Sequence, residues 1–90
     1  MKYYVYTLLS LQDTKLYTGF SADLKNRLSQ HARGGVISTR NRRPLKFIHY
    51  EYFTDQQDAK AREVFLKSGF GRKQLLQALK RTIGQVIREK

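Results

Sequence analysis

The sequence predicts a small α+β domain with a three-stranded sheet, in the element order β-β-α-β-α-α. Three segments, residues 3–9, 15–20 and 46–53, are rich in aromatic and β-branched side chains and alternate as half-buried strands do. The segments between and after them carry apolar residues at helical spacing and end at glycines. A chain of 90 residues is expected to form one domain, residues 1–90, around a small core.

The first two strands are expected to pair as an antiparallel hairpin, because the polar segment 10–14 between them is typical of a turn. Tyr6 then lies opposite Gly19. Leu8 lies opposite Tyr17, so Tyr6 and Tyr17 become diagonal neighbours on one face of the sheet. Packing within the sheet is the ordinary role of such tyrosines, and the hairpin alone favours that interpretation.

The first helix is expected over residues 22–33, with Ser21 as its N-cap and Gly34 just beyond its end. One side of this helix carries four residues at the i, i+3, i+4, i+7 spacing: Leu24, Arg27, Leu28 and His31. The two leucines need burial, but an arginine and a histidine beside them are unusual on an ordinary surface helix. Tyr17 comes close to the start of this helix, and the combination indicates a site.

The charge balance is strongly positive, with 18 Lys and Arg against 7 Asp and Glu and a net charge of +11. Such an excess favours a polyanionic partner, nucleic acid first and an acidic membrane surface second. No apolar run approaches ~20 residues, so we expect no membrane association. The segment 36–44 concentrates arginines and hydroxyls that suit phosphate contacts, although a solvated basic loop is the alternative. The candidate nucleic-acid-binding residues are Lys25, Arg33, Thr39, Arg40, Arg42, Arg43, Arg72 and Lys73.

After the third strand, Thr54 is expected to cap the second helix, with Gln57 completing a capping box. Glu63 lies at the edge of the apolar side of this helix, and its ordinary role would be an i, i+4 ion pair with Lys67. Segment 68–73 is expected to break the helical pattern through its glycines.

A last helix is predicted from Arg72, and Gly84 weakens its final turns, so we expect its end to fray. The ordered core of the domain is accordingly expected over about residues 3–79. The inward face of the helix is predicted to carry Leu75, Leu76, Leu79, Ile83, Val86 and Ile87.

The chain contains no cysteine and two histidines, which excludes disulfides and thiolate metal sites and argues against zinc. The absence of cysteine also agrees with a cytoplasmic location. The side chains that remain suit hydrolysis of a phosphodiester with one metal ion. Glu63 is a hard carboxylate of the kind that Mg²⁺ binds, and Arg27 suits the charge on phosphorus. A tyrosine or His31 would activate the water, and the residues alone leave that choice open.

These residues resemble the GIY-YIG nuclease domain, which occurs at the N-terminus of bacterial excinuclease C, in homing endonucleases and in some restriction enzymes. The resemblance is carried by Tyr4-Val5-Tyr6, Tyr17-Thr18-Gly19, Asp23-Leu24 with Arg27 and His31, and Glu63. It is strongest to small stand-alone bacterial members of excinuclease-C-like type, through YTGFSADLKNRLSQH, STRNRRPLKFIHYE and REVFLKSGFGRK. It covers about residues 3–79.

The resemblance implies an antiparallel three-stranded sheet flanked by helices and a metal-dependent DNA endonuclease with Mg²⁺ or Mn²⁺ as cofactor. Its expected role is DNA repair or the processing of structured DNA, and its expected substrate is branched, nicked or damaged DNA. The residues that match the family's active site are Tyr6, Tyr17, Arg27, His31 and Glu63, of which Glu63 is the metal ligand.

The chain departs from the family pattern in three places. The first tripeptide lacks its glycine, and Thr18 stands in place of isoleucine. Phe20 stands where the excinuclease branch has a lysine, so that contact is absent or is supplied by His31. Two alternatives stay open: a basic nucleic-acid-binding module that retains the fold with little or no activity, and an RNA-binding platform that uses the sheet tyrosines for stacking.

Overall fold

The computed structural model describes residues 1–90 as three strands and five helices. The strands form one antiparallel sheet in the order β2-β1-β3, with β1 in the centre. This confirms the α+β class and the antiparallel three-stranded sheet. The elements are β1 (Tyr3–Ser10), β2 (Leu16–Ser21), α1 (Leu24–Ala32), α2 (Ile37–Arg40), β3 (Leu45–Phe53), α3 (Gln56–Lys67), α4 (Gly69–Ala78) and α5 (Lys80–Glu89).

The hairpin of β1 and β2 has the predicted register, with Tyr6 opposite Gly19 and Leu8 opposite Tyr17. Gly19 is required here, because a Cβ at this position would overlap the phenol of Tyr6. The two faces of β1 are covered by different helices, which explains why nearly the whole strand is buried.

The hydrophobic core lies on one face of the sheet, against α3 and α4. Its buried members are Val5, Leu9, Leu16, Ala59, Leu66 and Leu75. The opposite face, which carries Tyr6, is covered by α1 through His31. Because β2 is an edge strand, side chains from the two helical layers can approach each other around it.

The helices α1 and α3 begin later than predicted, because aspartates rather than hydroxyl residues cap them. The carboxylate of Asp23 accepts the backbone N–H of Asn26, whereas Ser21, the predicted cap, accepts the N–H of Asp23 in the preceding turn. Asp55, rather than Thr54, caps α3. An aspartate accepts this bond as well as a serine and also complements the positive end of the helix dipole.

Two further predictions were wrong. The basic segment 36–44 is not a plain loop, since it contains the helical turn α2. The C-terminal region forms two helices rather than one, because Ser68 caps α4 ahead of its glycines and the chain bends at Leu79 before α5. The helix α5 is continuous through Gly84, and no helix of the chain is long and apolar enough to span a bilayer. Two side chains expected to point inward are more than a third exposed, Leu76 and Ile87.

Candidate active site

Tyr6, Tyr17 and His31 form a compact aromatic cluster between the hairpin and α1. The ring centroids are 6.3 Å apart for the two tyrosines, and His31 lies 5.5 Å from Tyr6 and 5.2 Å from Tyr17. The hairpin register places the tyrosines side by side, and the last turn of α1 carries the histidine over them. The structure therefore brings together three of the five predicted catalytic residues.

His31 is almost completely buried, and both of its ring nitrogens have hydrogen-bond partners. Nε2 lies 2.8 Å from the Tyr6 hydroxyl, and Nδ1 lies 2.8 Å from Oγ1 of Thr39 on α2. We assign the tautomer in which Tyr6 donates to Nε2 and the Nδ1–H donates to Thr39. Thr39 is fully buried within this chain of bonds, so its prediction as a phosphate contact was wrong.

Tyr6 and His31 are both neutral at physiological pH. Burial lowers the pKa of His31 to about 4, and the positive charge of Arg27 adds to that effect. Burial also raises the pKa of Tyr6 to about 12, although the Arg27 guanidinium opposes this shift. These two side chains can hold and orient their neighbours, but neither is placed to take a proton from solvent.

Arg27 lies on α1 beside the aromatic cluster and is only half-buried. Its Nη1 donates to the side-chain oxygen of Gln30 at 3.0 Å. The phenol of Tyr6, and to a lesser degree that of Tyr17, raises the pKa of Arg27, so the guanidinium stays charged. A fixed cation next to the partly exposed Tyr17 suits an anionic ligand.

Glu63 approaches from the other side of the sheet, on α3. Its carboxylate pairs with Lys67 at 3.0 Å, as the i, i+4 spacing predicts. Lys67 in turn lines a cavity of about 330 Å³ at the edge of β2 that Tyr17 also lines. The other charged residues of this cavity are three cations and one acid, Lys15, Arg42, Arg72 and Asp13.

The donor set is compatible with a hard divalent cation held by one carboxylate. No cluster of three His, Asp or Glu side chains occurs in the structure, and the Glu63 side chain is 21% exposed. Mg²⁺ is commonly bound through one or two carboxylates and otherwise by water and substrate phosphate, so Glu63 alone can serve. The acid of the cavity, Asp13, is occupied by Arg42, whose hydrogen bond lowers the pKa of Asp13 to about 2.

Two of the predicted nucleic-acid contacts, Arg42 and Arg72, line the cavity beside Tyr17. Arg72 offers a charge there, whereas Arg42 is held by Asp13 and by the carbonyl of Lys15. Sequence reasoning overlooked Lys15 and treated Lys67 only as a partner of Glu63. Two features of the sequence could have indicated them: Lys15 immediately precedes β2, and Lys67 lies on the same helix face as Glu63.

The other predicted contacts are spread over the surface. Arg40 and Arg43 line a second cavity of about 620 Å³, but their guanidinium groups also bind backbone carbonyls, which fixes the α2 segment. Arg33 donates to Ser29 on the outer side of α1. Lys25 and Lys73 lie away from the cavity, on α1 and α4.

One sequence-based alternative was that His31 supplies the contact of the lysine that the excinuclease branch has in place of Phe20; His31 is buried and is not placed to do so. The position of that lysine is occupied by Phe20. Its ring stacks on Tyr3 with centroids 6.1 Å apart, on the core side of the sheet. His31 is buried on the opposite side. The positive charge that contacts the ring is Lys60 of α3, whose Nζ lies 5.4 Å from the ring centre.

We expect Gly19→Ala to lower the free energy of unfolding by about 1–3 kcal/mol, because the new Cβ must displace the Tyr6 phenol and break its bond with His31. Urea unfolding followed by circular dichroism measures the change. Gly69→Ala is the matched control, since nothing lies within 4 Å of that position. Equal stabilities of the two variants would contradict the packing of Tyr6 on Gly19.

The three-stranded sheet, the surrounding helices and the tyrosine cluster agree with a nuclease fold. The family model described as the GIY-YIG catalytic domain matches residues 2–76, and the chain belongs to this family.

The chain is also similar to the small UPF0213 proteins. A Pediococcus acidilactici member is 41% identical over 81 residues, which is 87% of this chain and 81% of the relative. A Clostridium perfringens member is 38% identical over 65 residues, 71% of this chain and 69% of the relative. The solution NMR structure of a Bacillus halodurans UPF0213 protein has a TM-score of 0.55 and 32% identity, covering 87% of this chain and 85% of that one.

Proposed function

We propose that the protein is a metal-dependent DNA endonuclease that hydrolyses phosphodiester bonds at the edge of β2. The observation that carries this proposal is that Tyr17 interacts with the charged Arg27 and also lines a cationic cavity whose wall includes Lys67, the partner of Glu63. A phenol, a guanidinium and a carboxylate from three separate elements suit phosphodiester hydrolysis.

Each side chain has a role that its surroundings support. Arg27 binds a phosphate oxygen and stabilises the charge that develops on phosphorus. Tyr17, which is partly exposed, orients the attacking water and, once its phenol has released its own proton to solvent, accepts the proton of that water during the attack. Glu63 would hold a divalent cation, which would supply positive charge against the phosphate and Lewis acidity at this site.

Burial favours one of the two candidates for the group that activates water. His31 is 1% exposed and uses both nitrogens inside the protein, so a water cannot reach it in this arrangement. We therefore assign this task to Tyr17. His31 and Tyr6 act as positioning residues that fix the Tyr17 ring from behind.

The proposed substrate is DNA, in keeping with the net charge of +11 and the cations of the cavity. Processing of structured DNA or DNA repair is the proposed role, and it agrees with the cytoplasmic location expected from the sequence. A second candidate function, binding without cleavage, is favoured by one observation: Lys67 already neutralises Glu63, the proposed metal ligand.

The test is cleavage of a panel of plasmid, nicked, flapped and branched DNAs with Mg²⁺ or Mn²⁺, compared with a chelator. We expect cutting that needs the metal and that falls by about 10²-fold or more in Arg27→Ala. DNA binding in a gel-shift assay is the control for a folded variant. If both proteins bind DNA equally and neither cuts any substrate, the binding module is the correct function.

A further inference from the structure

A patch of four aromatic side chains covers part of the sheet face that α1 leaves open. In the β1–β3 register Tyr4 lies opposite Tyr52, and Tyr50 lies opposite the aromatic cluster residue Tyr6. Tyr50, Tyr52 and Phe47 are 52%, 51% and 40% exposed. The ring of Tyr4 contacts the rings of Tyr50 and Tyr52, with centroids 6.0 Å and 5.7 Å apart. The ring of Phe47 contacts that of Tyr50, with centroids 5.9 Å apart.

This patch continues into a groove of about 580 Å³ between α1 and the sheet. Leu24 and Leu28 of α1 form one wall of the groove, and Tyr4 and Tyr50 form the other. We call the groove and the exposed rings beside it the aromatic groove. Two lysines, Lys2 and Lys25, also line it; the single acid, Asp23, is occupied as the cap of α1.

The chemistry of the aromatic groove suits unpaired nucleic acid bases. Tyrosine rings stack on the flat face of any base, and lysines at the rim attract the phosphates that accompany it. Bases inside a duplex expose only their edges, so stacking of this kind requires a single strand, a flap or a bulge. A second copy of this chain is disfavoured as the occupant, because two chains of net charge +11 repel each other.

The position of the aromatic groove links it to the proposed active site. Leu24 and Leu28 lie on the same helix as Arg27 and His31; Leu24 is about one turn before Arg27, and Leu28 is about one turn before His31. Tyr50 pairs in the sheet with Tyr6. A strand whose phosphate contacts Arg27 therefore has its neighbouring bases within reach of the groove.

We propose that the aromatic groove binds unpaired bases next to the scissile phosphate and so directs the enzyme to DNA with single-stranded character. This inference rests on the proposed nuclease function for its biological meaning, but the binding site itself can be tested without cleavage. The alternative occupant, a second copy of the chain, is an outcome of the same test.

The test is fluorescence anisotropy with a labelled oligo(dT) and a blunt duplex of equal length, in chelator so that no cutting occurs. The variant is Tyr50→Leu/Tyr52→Leu, which keeps apolar side chains and removes the rings. We expect its affinity for oligo(dT) to fall about tenfold or more, with duplex affinity unchanged. Phe70→Leu is the matched control, because Phe70 is 68% exposed on α4, away from the groove; it should bind as the wild type does.

Equal losses on oligo(dT) and duplex, or no loss on either, would overturn the proposal. So would a dimer of the wild-type chain in light scattering that the double variant converts to monomer, because the rings would then be a contact between copies. Selective loss on oligo(dT) without any metal-dependent cleavage by the wild type would support the groove while refuting the nuclease. The two proposals therefore fail in distinguishable ways.

Discussion

Glu63→Gln should lower the rate of metal-dependent DNA cleavage by about 10³-fold, equivalent to about 4 kcal/mol of transition-state stabilisation. The amide keeps the shape of the side chain but lacks the charge that holds a divalent cation. Glu63 is the only carboxylate of the predicted catalytic set. The structure contains no cluster of three His, Asp or Glu side chains that could bind the metal in its place. Single-turnover cleavage across a Mg²⁺ titration measures the effect.

Two control variants separate loss of the metal ligand from loss of the ion pair. The pair with Lys67 is partly exposed, so breaking it should cost less than about 1 kcal/mol of stability. Lys67→Gln breaks the same pair but leaves the carboxylate free, and should cut DNA at a lower Mg²⁺ concentration than the wild type needs. Glu89→Gln makes the identical substitution on the exposed end of α5. Wild-type cleavage by Glu63→Gln at every Mg²⁺ concentration would exclude Glu63 as the ligand.

The hairpin could be predicted in detail because it depends on local information. Strand alternation has a period of two and the turn is short, so the pairing of Tyr6 with Gly19 followed from counting residues. The helix caps were predicted less well, since several adjacent polar residues compete for each N-terminus. Ser21 and Thr54 are residue types that cap helices well. In the structure, however, Asp23 and Asp55 are the residues whose carboxylates accept a backbone N–H of the first turn of α1 and α3.

The candidate site was harder to predict because its parts come from opposite faces of the sheet. Arg27 and His31 share a helix face, which the 3.6-residue period reveals. Glu63 was a weak candidate until the family resemblance was considered, since its spacing to Lys67 is that of an ordinary ion pair. Thr39 was misassigned for a similar reason: a hydroxyl among arginines resembles a phosphate contact until the fold places it against His31.

Burial of His31 should make the protein lose stability as the pH falls from about 6.5 to 4. The folded-state pKa of His31 is about 4, against 6.5 in its ordinary state, so the unfolded chain binds an extra proton between these values. The contribution of the neutral, buried His31 to the free energy of unfolding is complete above pH 6.5 and is progressively lost as the pH falls from 6.5 to about 4. A shift of this size corresponds to about 3 kcal/mol in the free energy of unfolding.

Urea unfolding of the wild type and of His31→Gln at several pH values measures this contribution. The variant removes the titrating ring but keeps a side chain that can hydrogen-bond to Tyr6 and Thr39, so its stability should vary much less between pH 6.5 and 4.5. His49→Gln makes the same substitution at the other histidine, on β3, and is the control for the chemical change itself. Parallel curves for the wild type and His31→Gln would mean that the folded protein accepts a proton at His31 as readily as the unfolded chain. His31 would then be accessible to water, and the argument that leaves Tyr17 as the group that activates it would lose its basis.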